Sequence, residues 1–373
     1  MNNDTRQTRE ALVIKSTGSW YTLCDVLTLE WLEARLSGRI RLQGRRSTNP
    51  VVVGDRVDYY LESPSSPGEE VRDRSIGHKK RNKARNGETR RRLSEDSDLS
   101  PRGSAFAAAD EPEASVSETP KQTGVITHIH DRRNYIIRRS SNLSRESHII
   151  AANIDQAFLV VTLVLPETSF EFIDRFLVTA EAYHVPTTLV LNKTDLYDTP
   201  ELQEKRAQFL ATYIGAGYSV LEVAASLGKG IPALRERLAG EVSLLSGNSG
   251  VGKSTLIGAV DPTLHPRIGA ISDYHHRGRH TTTFSEMYAL AGGGWLIDTP
   301  GIKGFGLIDL SGDEVGRYFP DFFRWAPQCG YYNCTHTHEP DCAVKAAVER
   351  GEISPTRYIS YLKLLEEDEK YRH

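Results

Sequence analysis

The chain has 373 residues, of which 39% are hydrophobic and 25% are charged, and its formal net charge at pH 7 is −3. This composition is that of an ordinary globular protein with room for two or three domains, and it does not mark the whole chain as a nucleic-acid binder. No run of roughly 18 apolar residues and no apolar N-terminal core is present, which argues against a membrane span and a secretory signal and predicts a cytoplasmic protein with no membrane partner.

The N-terminal part of the chain contains short β-type segments that are separated by glycine and polar turns. They lie at 11–23, 38–42 and 50–61, and the pattern resumes at 123–139. Short strands at this spacing predict a small antiparallel barrel, with residues 123–139 as its last strands.

Residues 62–121 interrupt this pattern with a composition rich in Ser, Pro, Arg and Glu. Such a segment has too little apolar surface to offset the entropy of ordering, so we predict a disordered insert. Its basic part, KKRNKARNGETRRR at 79–92, has two interpretations. It is either a solvated charge run or a flexible arm that neutralises RNA phosphates.

From residue 148 to about 310, strand-type and helix-type segments alternate. IDQAFLVVTLV and TTLVLNKTDL are apolar runs of the buried parallel kind, and FEFIDRFLVTAEAYHV between them is amphipathic. This alternation predicts an α/β domain with a mostly parallel sheet. An aromatic segment, a Cys/His cluster and a closing helix at 354–370 follow.

The segment LLSGNSGVGKSTL at 244–256 fills the fixed positions of the G-x-x-x-x-G-K-[ST] phosphate loop. Glycines let backbone N–H groups surround a phosphate, Lys253 is expected to bridge β- and γ-oxygens in catalysis, and Ser254 to ligate Mg²⁺. A chance match in a glycine-rich turn is the alternative, which the flanking strand and helix disfavour. The predicted phosphate-binding residues are Gly247, Asn248, Ser249, Gly250, Val251, Gly252, Lys253, Ser254 and Thr255.

Asn192-Lys193-Thr194-Asp195 follows a buried strand and matches the N-K-x-D pattern that selects guanine. The Asp195 carboxylate can accept two hydrogen bonds from guanine that adenine cannot donate, while Lys193 packs over the base and Asn192 braces neighbouring loops. Alone, this tetrapeptide could simply cap a turn. Together with the phosphate loop it predicts GTP and GDP as ligands, with Ala224-Ala225-Ser226 as a further base-contacting loop.

Asp298-Thr299-Pro300-Gly301 follows a third strand, where Asp298 would hold Mg²⁺ through water and Gly301 would sense the γ-phosphate. GRHTTT at 278–283 lies between this motif and the phosphate loop. It suits a switch in which one of the three threonines, with Thr282 favoured, reaches Mg²⁺ and the γ-phosphate. The other interpretation is an exposed polar loop.

These motifs occur in an order that differs from that of ordinary GTPases, in which the phosphate loop precedes N-K-x-D. Here N-K-x-D comes first, and the phosphate loop, the switch and DTPG follow. Because the site needs its loops at one sheet edge and not in one chain order, we predict a circularly permuted GTPase domain.

Three cysteines near the C-terminus form C-x₄-C-x-H-x₅-C with one histidine. Three thiolates and one imidazole suit a closed structural Zn²⁺ site, one ion per chain, because four protein ligands leave no open position. His338 could replace His336, and cysteines without a metal are the alternative. The predicted ligands are Cys329, Cys334, His336 and Cys342.

Taken in this order, the motifs resemble the circularly permuted, ribosome small-subunit-dependent GTPases of the RsgA family. PVVVGDRV in the barrel and CAVKAAVE after the last cysteine belong to the same resemblance, which covers nearly all of the chain outside 62–121. The resemblance implies a multidomain protein: an OB-fold barrel (1–146), a central α/β P-loop GTPase domain (147–310) and a small α-rich zinc-binding domain (311–373). It also implies late maturation of the 30S subunit, contact with 16S rRNA and hydrolysis that the subunit stimulates.

Ile302 stands after DTPG, where many GTPases carry a glutamine that orients water. The resemblance implies His280 as the catalytic group instead, although this histidine could merely order the switch. Two further functions compete with the GTPase: an RNA-binding module whose pocket only gates binding, and an ATP-dependent enzyme, which Asp195 disfavours. Since the sequence shows no oligomer interface, we expect a monomer.

Overall fold

A computed structural model of the chain describes residues 7–38, 40, 50–62, 123–139, 147–264, 285–298 and 312–372. The predicted disordered insert beyond Glu62, the switch at 278–283 and residues 299–301 lie outside these described residues. The same holds for most of the strand predicted at 38–42.

The N-terminal barrel is a closed, five-stranded sheet. β3 and β5 pair in parallel, the other neighbours pair antiparallel, and β4 closes the barrel by pairing with β1. Alternate residues point inward and form an apolar core that includes Val13, Leu23 and Tyr59. In the order β1-β2-β3-β5-β4, the strands are Arg9–Ser16 (β1), Tyr21–Asp25 (β2), Trp31–Leu36 (β3), Gly124–Ile129 (β5) and Arg56–Leu61 (β4).

Two details of this part differ from the sequence interpretation. The strand Trp31–Leu36 lies where no strand was predicted, since its Leu, Glu, Ala and Arg residues favour helix. Pairing with β2 and β5 overrides that preference. The prediction that 123–139 completes the barrel is wrong for Tyr135–Arg139 (β6), which instead pairs with Ser147–Ala152 (β7) in a separate hairpin.

The central sheet has six strands in the order β10-β9-β8-β11-β13-β12, of which only β12 is antiparallel. Both faces are covered: α1 and α2 pack on one apolar layer, and α3 and α4 pack on the other. The strands are Gln156–Val161 (β8), Thr187–Leu191 (β9), Ser219–Glu222 (β10), Val242–Ser246 (β11), Glu286–Ala289 (β12) and Trp295–Asp298 (β13). The helices are Phe170–Ala182 (α1), Pro200–Gly215 (α2), Ile231–Leu238 (α3) and Lys253–Val260 (α4).

The barrel and the central sheet share one continuous, eleven-stranded sheet. β1 pairs with β12 at Lys15 and Glu286, whose side chains lie 3.3 Å apart. The loop before β4 lies against β7, where the Ala152 N–H donates to Val53 O. Gly54 in this loop has φ +88°, and a Cβ there would lie 2.0 Å from Ala152 O. Main-chain atoms of the two parts thus meet directly at this junction.

The C-terminal region is helical and packs around its own aromatic core. Phe319, Phe322 and Tyr361 are buried together in this core, and Val178 of α1 joins them. Within the described ranges, no helix combines the length and the apolar character needed to cross a membrane. The helices are Gly312–Val315 (α5), Pro320–Trp325 (α6), Ala343–Glu349 (α7) and Pro355–Arg372 (α8).

A buried ion-pair triad joins this region to the central domain. Arg357 of α8 donates from Nη1 to Asp174 of α1 at 2.7 Å and from Nε and Nη2 to Asp321 of α6 at 3.1 and 2.7 Å. All three side chains are at most 5% exposed. The guanidinium also lies 4.6 Å from the centroid of the Phe319 ring. The domain limits predicted from the sequence are not tested by these contacts. The β6–β7 hairpin has one strand on each side of the predicted limit at residue 146.

Candidate functional site

The predicted nucleotide motifs meet at one edge of the central sheet. β9, β11 and β13 are parallel, and their carboxyl ends lead into N-K-T-D, the phosphate loop and Asp298 respectively. β8 lies between β9 and β11 and adds its own exit loop at 162–166 to this edge. Ligands of open α/β sheets bind at such an edge, so the permuted chain order still assembles one site.

The phosphate loop between β11 and α4 depends on its glycines. Gly247 has φ +148°, and a Cβ there would lie 2.4 Å from Val160 O. Gly252 has φ +95°, and its Cβ would lie 2.6 Å from Asn192 Nδ2. A side chain at Gly247 would collide with the main chain of β8, and one at Gly252 would collide with the side chain of Asn192, which explains why the tight loop needs glycine here.

Lys253 begins α4 and turns its amine back over the loop. Its Nζ donates to the carbonyl oxygens of Gly247 at 2.6 Å and Asn248 at 2.9 Å. Burial lowers the pKa of Lys253, and the carboxylate of Asp298 opposes this effect. Ser254 and Thr255 follow with exposed side chains at the N-terminus of the helix, where hydroxyl and N–H groups can meet an anion.

Asn192 is a buried brace between three segments. Its Nδ2 donates to Val251 O of the phosphate loop at 2.9 Å, and its Oδ1 accepts from the Ala225 N–H at 3.2 Å. Its own main chain extends β9, where the Asn192 N–H donates to Val161 O of β8. One side chain therefore connects the predicted base-reading turn, the Ala224–Ser226 loop and the phosphate loop.

The rest of the N-K-T-D turn is fixed by its neighbours. Lys193 has φ +61°, and its Nζ donates to Leu165 O and, at 2.8 Å, to Gly250 O. Thr194 donates from both N–H and hydroxyl to Val223 O, at 3.2 and 3.0 Å. Asp195 follows in a single 3₁₀ turn with an exposed side chain, so its carboxylate is accessible to a ligand beside the phosphate loop.

Three predicted site residues, Thr282, His280 and Gly301, lie outside the described residues. Their roles stay predictions. Asp298 is described: it ends β13 opposite Leu245 of β11. The structure therefore brings together the base-reading motif, the phosphate loop and Asp298.

The second predicted site lies in the C-terminal region. The ligand atoms of Cys329, Cys334, His336 and Cys342 all lie within 4.8 Å of one another. Tetrahedral Zn²⁺ with Zn–S bonds of about 2.3 Å would place its ligand atoms about 3.8 Å apart, so this donor set can hold a metal ion. His338 is exposed, and its Nδ1 lies 3.0 Å from Thr337 Oγ1. The group of four ligand atoms does not include it.

The surroundings favour His336 as a ligand. Its backbone has φ +60°, and burial lowers the pKa of its imidazole, which favours the neutral form that binds metals. The Tyr358 hydroxyl donates to His336 O at 2.8 Å. Glu339 accepts from the Thr335 N–H at 2.7 Å and the Thr337 N–H at 3.0 Å, which fixes the turn that carries the histidine.

Sequence reasoning missed one buried residue at the nucleotide site. Tyr197 lies two positions after Asp195, is 1% exposed, and donates from its hydroxyl to Asn192 O at 2.6 Å. A single tyrosine after a motif carries no signal of such a contact. The partner atom belongs to the main chain, which any sequence would supply.

Comparisons with known proteins agree with this arrangement. The family model described as RsgA GTPase matches residues 129–308. A Bacteroides thetaiotaomicron protein named small ribosomal subunit biogenesis GTPase RsgA 2 is 46% identical over 97% of this chain and 99% of its own length. A Flavobacterium psychrophilum relative named small ribosomal subunit biogenesis GTPase RsgA is 44% identical over 97% and 94%.

Two solved structures share the fold. YjeQ from Thermotoga maritima is 31% identical, with a TM-score of 0.66 over 97% of this chain and 99% of that one. YloQ, titled a circularly permuted GTPase, has a TM-score of 0.63 over 100% and 98%, at 24% identity. The fold likeness therefore extends over nearly the whole length of both structures.

Proposed function

The chain belongs to the RsgA GTPase family, and we propose that it binds the small ribosomal subunit and assists its late maturation by hydrolysing GTP. The names of its relatives, which match it over nearly their whole length, support this function. We further propose that the protein contacts 16S rRNA, acts in the cytoplasm as a monomer, and releases GDP and phosphate.

The observation that carries this proposal is the brace formed by Asn192. Its side-chain amide is hydrogen-bonded both to Val251 of the phosphate loop and to Ala225 of the neighbouring loop. The carboxylate of Asp195, three residues after Asn192, is exposed. A nucleotide whose phosphates lie in the phosphate loop would present its base to that turn. Guanine donates two hydrogen bonds to such a carboxylate, so the geometry supports GTP over ATP.

The chain's own groups have distinct tasks in hydrolysis. Backbone N–H groups of the phosphate loop and the Lys253 amine would neutralise phosphate charge, which is most of what phosphoryl transfer requires of a protein. Ser254, Asp298 and Thr282 would hold Mg²⁺, which when bound neutralises the β- and γ-oxygens. Because Ile302 replaces a water-orienting glutamine, we assign the positioning of water to His280.

The C-terminal cluster has a different task. We propose that Cys329, Cys334, His336 and Cys342 bind one Zn²⁺ that maintains the fold of the C-terminal region. All four donors come from the protein, which suits a structural ion and leaves no position for a substrate.

The proposal is tested by measuring GTP hydrolysis by the full chain alone, with 30S subunits and with 50S subunits. We expect strong acceleration by 30S only. His280→Ala should retain GDP affinity and lower the accelerated rate by about 100- to 10,000-fold, the usual range for a side chain that transfers a proton in the reaction.

His184→Ala, which alters an exposed histidine after α1, is the matched control and should keep the accelerated rate. Equal slow rates with and without 30S would overturn the ribosomal assignment and favour a binding module with a gating pocket. An unchanged accelerated rate in His280→Ala would remove this residue from the reaction.

A further inference from the structure

Tyr197 connects two loops of the nucleotide site through its hydroxyl. The hydroxyl donates to Asn192 O at 2.6 Å and accepts from the Leu163 N–H at 3.1 Å. Asn192 follows β9, and Leu163 lies in the exit loop of β8, so one buried oxygen joins the exits of two neighbouring strands. Both partners are main-chain groups, which the hydroxyl fixes in position directly.

The turn that carries Asp195 is closed by this contact. Between Asn192 and Tyr197 the chain passes through the left-handed residue Lys193 and a single 3₁₀ turn. The Tyr197 N–H returns to Thr194 O at 3.4 Å, and Gln203 of α2 donates to Tyr197 O. The main chain of Tyr197 is thus held by Thr194 and Gln203. Its hydroxyl holds Asn192, at the start of the turn.

The β8 exit loop that Tyr197 fixes also reaches the phosphate loop. Its Leu165 O accepts from Lys193 Nζ, which also donates to Gly250 O. Pro166 lies beside Gly250, where an added Cβ would be 3.2 Å from Pro166 Cδ. The three loops therefore form a closed ring of contacts, in which Tyr197 joins the base-reading turn to the β8 exit loop.

The hydroxyl remains a donor at physiological pH. Burial raises the pKa of Tyr197 to about 12, so the phenol stays protonated near pH 7. A phenylalanine at this position would fill the same volume and leave Asn192 O and the Leu163 N–H without this partner.

We infer that Tyr197 is a positioning residue for guanine recognition, because its hydroxyl holds the Asn192–Asp195 turn where the Asp195 carboxylate can meet the base. The inference rests on the proposed function, in which Asp195 reads guanine. Since Tyr197 is 1% exposed, we expect it to act through the backbone that carries Asp195 and not through contact with the nucleotide.

The test compares full-length wild type with Tyr197→Phe by calorimetric titration with GDP, IDP and ADP. IDP lacks the exocyclic amine of guanine and can make only one of the two hydrogen bonds to Asp195. With the turn released, GDP affinity should fall about three- to tenfold, the worth of roughly one hydrogen bond, and the preference for GDP over IDP should shrink.

Tyr59→Phe is the matched control. Tyr59 in the barrel is equally buried, and its hydroxyl donates to Asp25 Oδ2 at 2.6 Å, far along the chain from the nucleotide motifs. This variant should lower the melting temperature and leave the GDP affinity and the GDP-to-IDP ratio at wild-type values. Asp195→Asn is the positive control, since it should abolish the preference for GDP over ADP.

The outcomes separate the inference from the proposed function. A wild type without any preference for GDP over ADP would overturn the guanine assignment itself. A guanine-selective wild type with an unchanged affinity and ratio in Tyr197→Phe would leave Tyr197 an ordinary core residue and overturn the inference. Reversible partial unfolding of the variant would weaken GDP and IDP binding by the same factor, so it cannot produce the expected fall in the GDP-to-IDP ratio.

Discussion

The two junctions of the central domain are built from different atoms. Toward the barrel, β1 continues the sheet at β12, and Gly54 lies against the main chain of Ala152. Toward the C-terminal region, the contact depends on the side chain of Arg357, which is 0% exposed between Asp174 and Asp321.

This difference predicts unequal tolerance to substitution. Main-chain hydrogen bonds survive most side-chain changes, provided that the backbone can still approach closely. A buried ion pair is less tolerant, because removal of the partner that neutralises a buried charge leaves that charge uncompensated in an apolar environment. The barrel junction should therefore be destabilised by substitutions that add side-chain volume. The C-terminal junction should be destabilised by substitutions that remove a charge.

The largest loss of structure should follow removal of the proposed metal ion. It should affect the C-terminal region and leave the barrel junction unchanged. Because structural zinc binds small peptides with free energies of about 10–16 kcal/mol, we expect the C-terminal region to depend on the proposed ion for its fold. Cys334→Ala should lose stoichiometric zinc by atomic absorption and lose the near-UV signal of the aromatic core, with GDP binding retained.

Cys24→Ala is the control for that experiment, since Cys24 lies in the main core, away from the cluster. It should retain one zinc ion per chain. A full zinc content in Cys334→Ala would exclude this cysteine as a ligand.

Next in size is the loss of the buried charge itself. Arg357→Met leaves the Asp174 and Asp321 carboxylates buried without their cation, and should lower the free energy of unfolding by about 3–5 kcal/mol. Urea denaturation measures this. Arg206→Met is matched, because Arg206 also pairs with a carboxylate, Glu222, but at a partly exposed position, and should cost less than about 1 kcal/mol. Similar losses in both variants would refute the special role of burial.

A smaller loss should follow added bulk at the barrel junction. Gly54→Ala combines φ +88° with a Cβ 2.0 Å from Ala152 O, and should cost about 2–3 kcal/mol in the free energy of unfolding. Gly18→Ala has the same φ of +88° and nothing within 4 Å, so it should cost only the conformational part, about 1 kcal/mol. Equal costs would show that the close approach is not needed.

The smallest effect should come from the ion pair at the same junction. The side chains of Lys15 and Glu286 are 42% and 30% exposed, and such a pair contributes about 0–1 kcal/mol. Lys15→Ala should therefore change the free energy of unfolding by less than about 1 kcal/mol, and the change should diminish in 1 M salt. A loss as large as that of Arg357→Met would erase the distinction between the junctions.

Local patterns predicted segments that the structure brings together, because each motif lies within a short stretch of chain. The phosphate loop and N-K-T-D each lie in one continuous segment, and the cysteine spacing predicted the cluster that the structure brings together. The preference for His336 over His338 needed the fold, since it rests on the left-handed backbone and the burial of His336. The continuous β8 and β9 runs also predicted the parallel sheet correctly.

Contacts between distant segments were not predictable in this way. Arg357 and Asp174 are 183 positions apart, and no short pattern marks them as partners. β3 was missed because its pairing with β5 spans the insert and overrides a helix-favouring composition. Tyr197 was missed because its partners are main-chain atoms.

The triad of Arg357, Asp174 and Asp321 also constrains how the protein can evolve. Loss of Arg357 leaves two buried carboxylates without their cation, so a lineage that replaces the arginine first passes through a destabilised ancestor. These three positions should be inherited together or exchanged together among relatives. Partly exposed side chains at the barrel junction, such as that of Lys15, can be replaced during evolution while the pairing of β1 with β12 is kept.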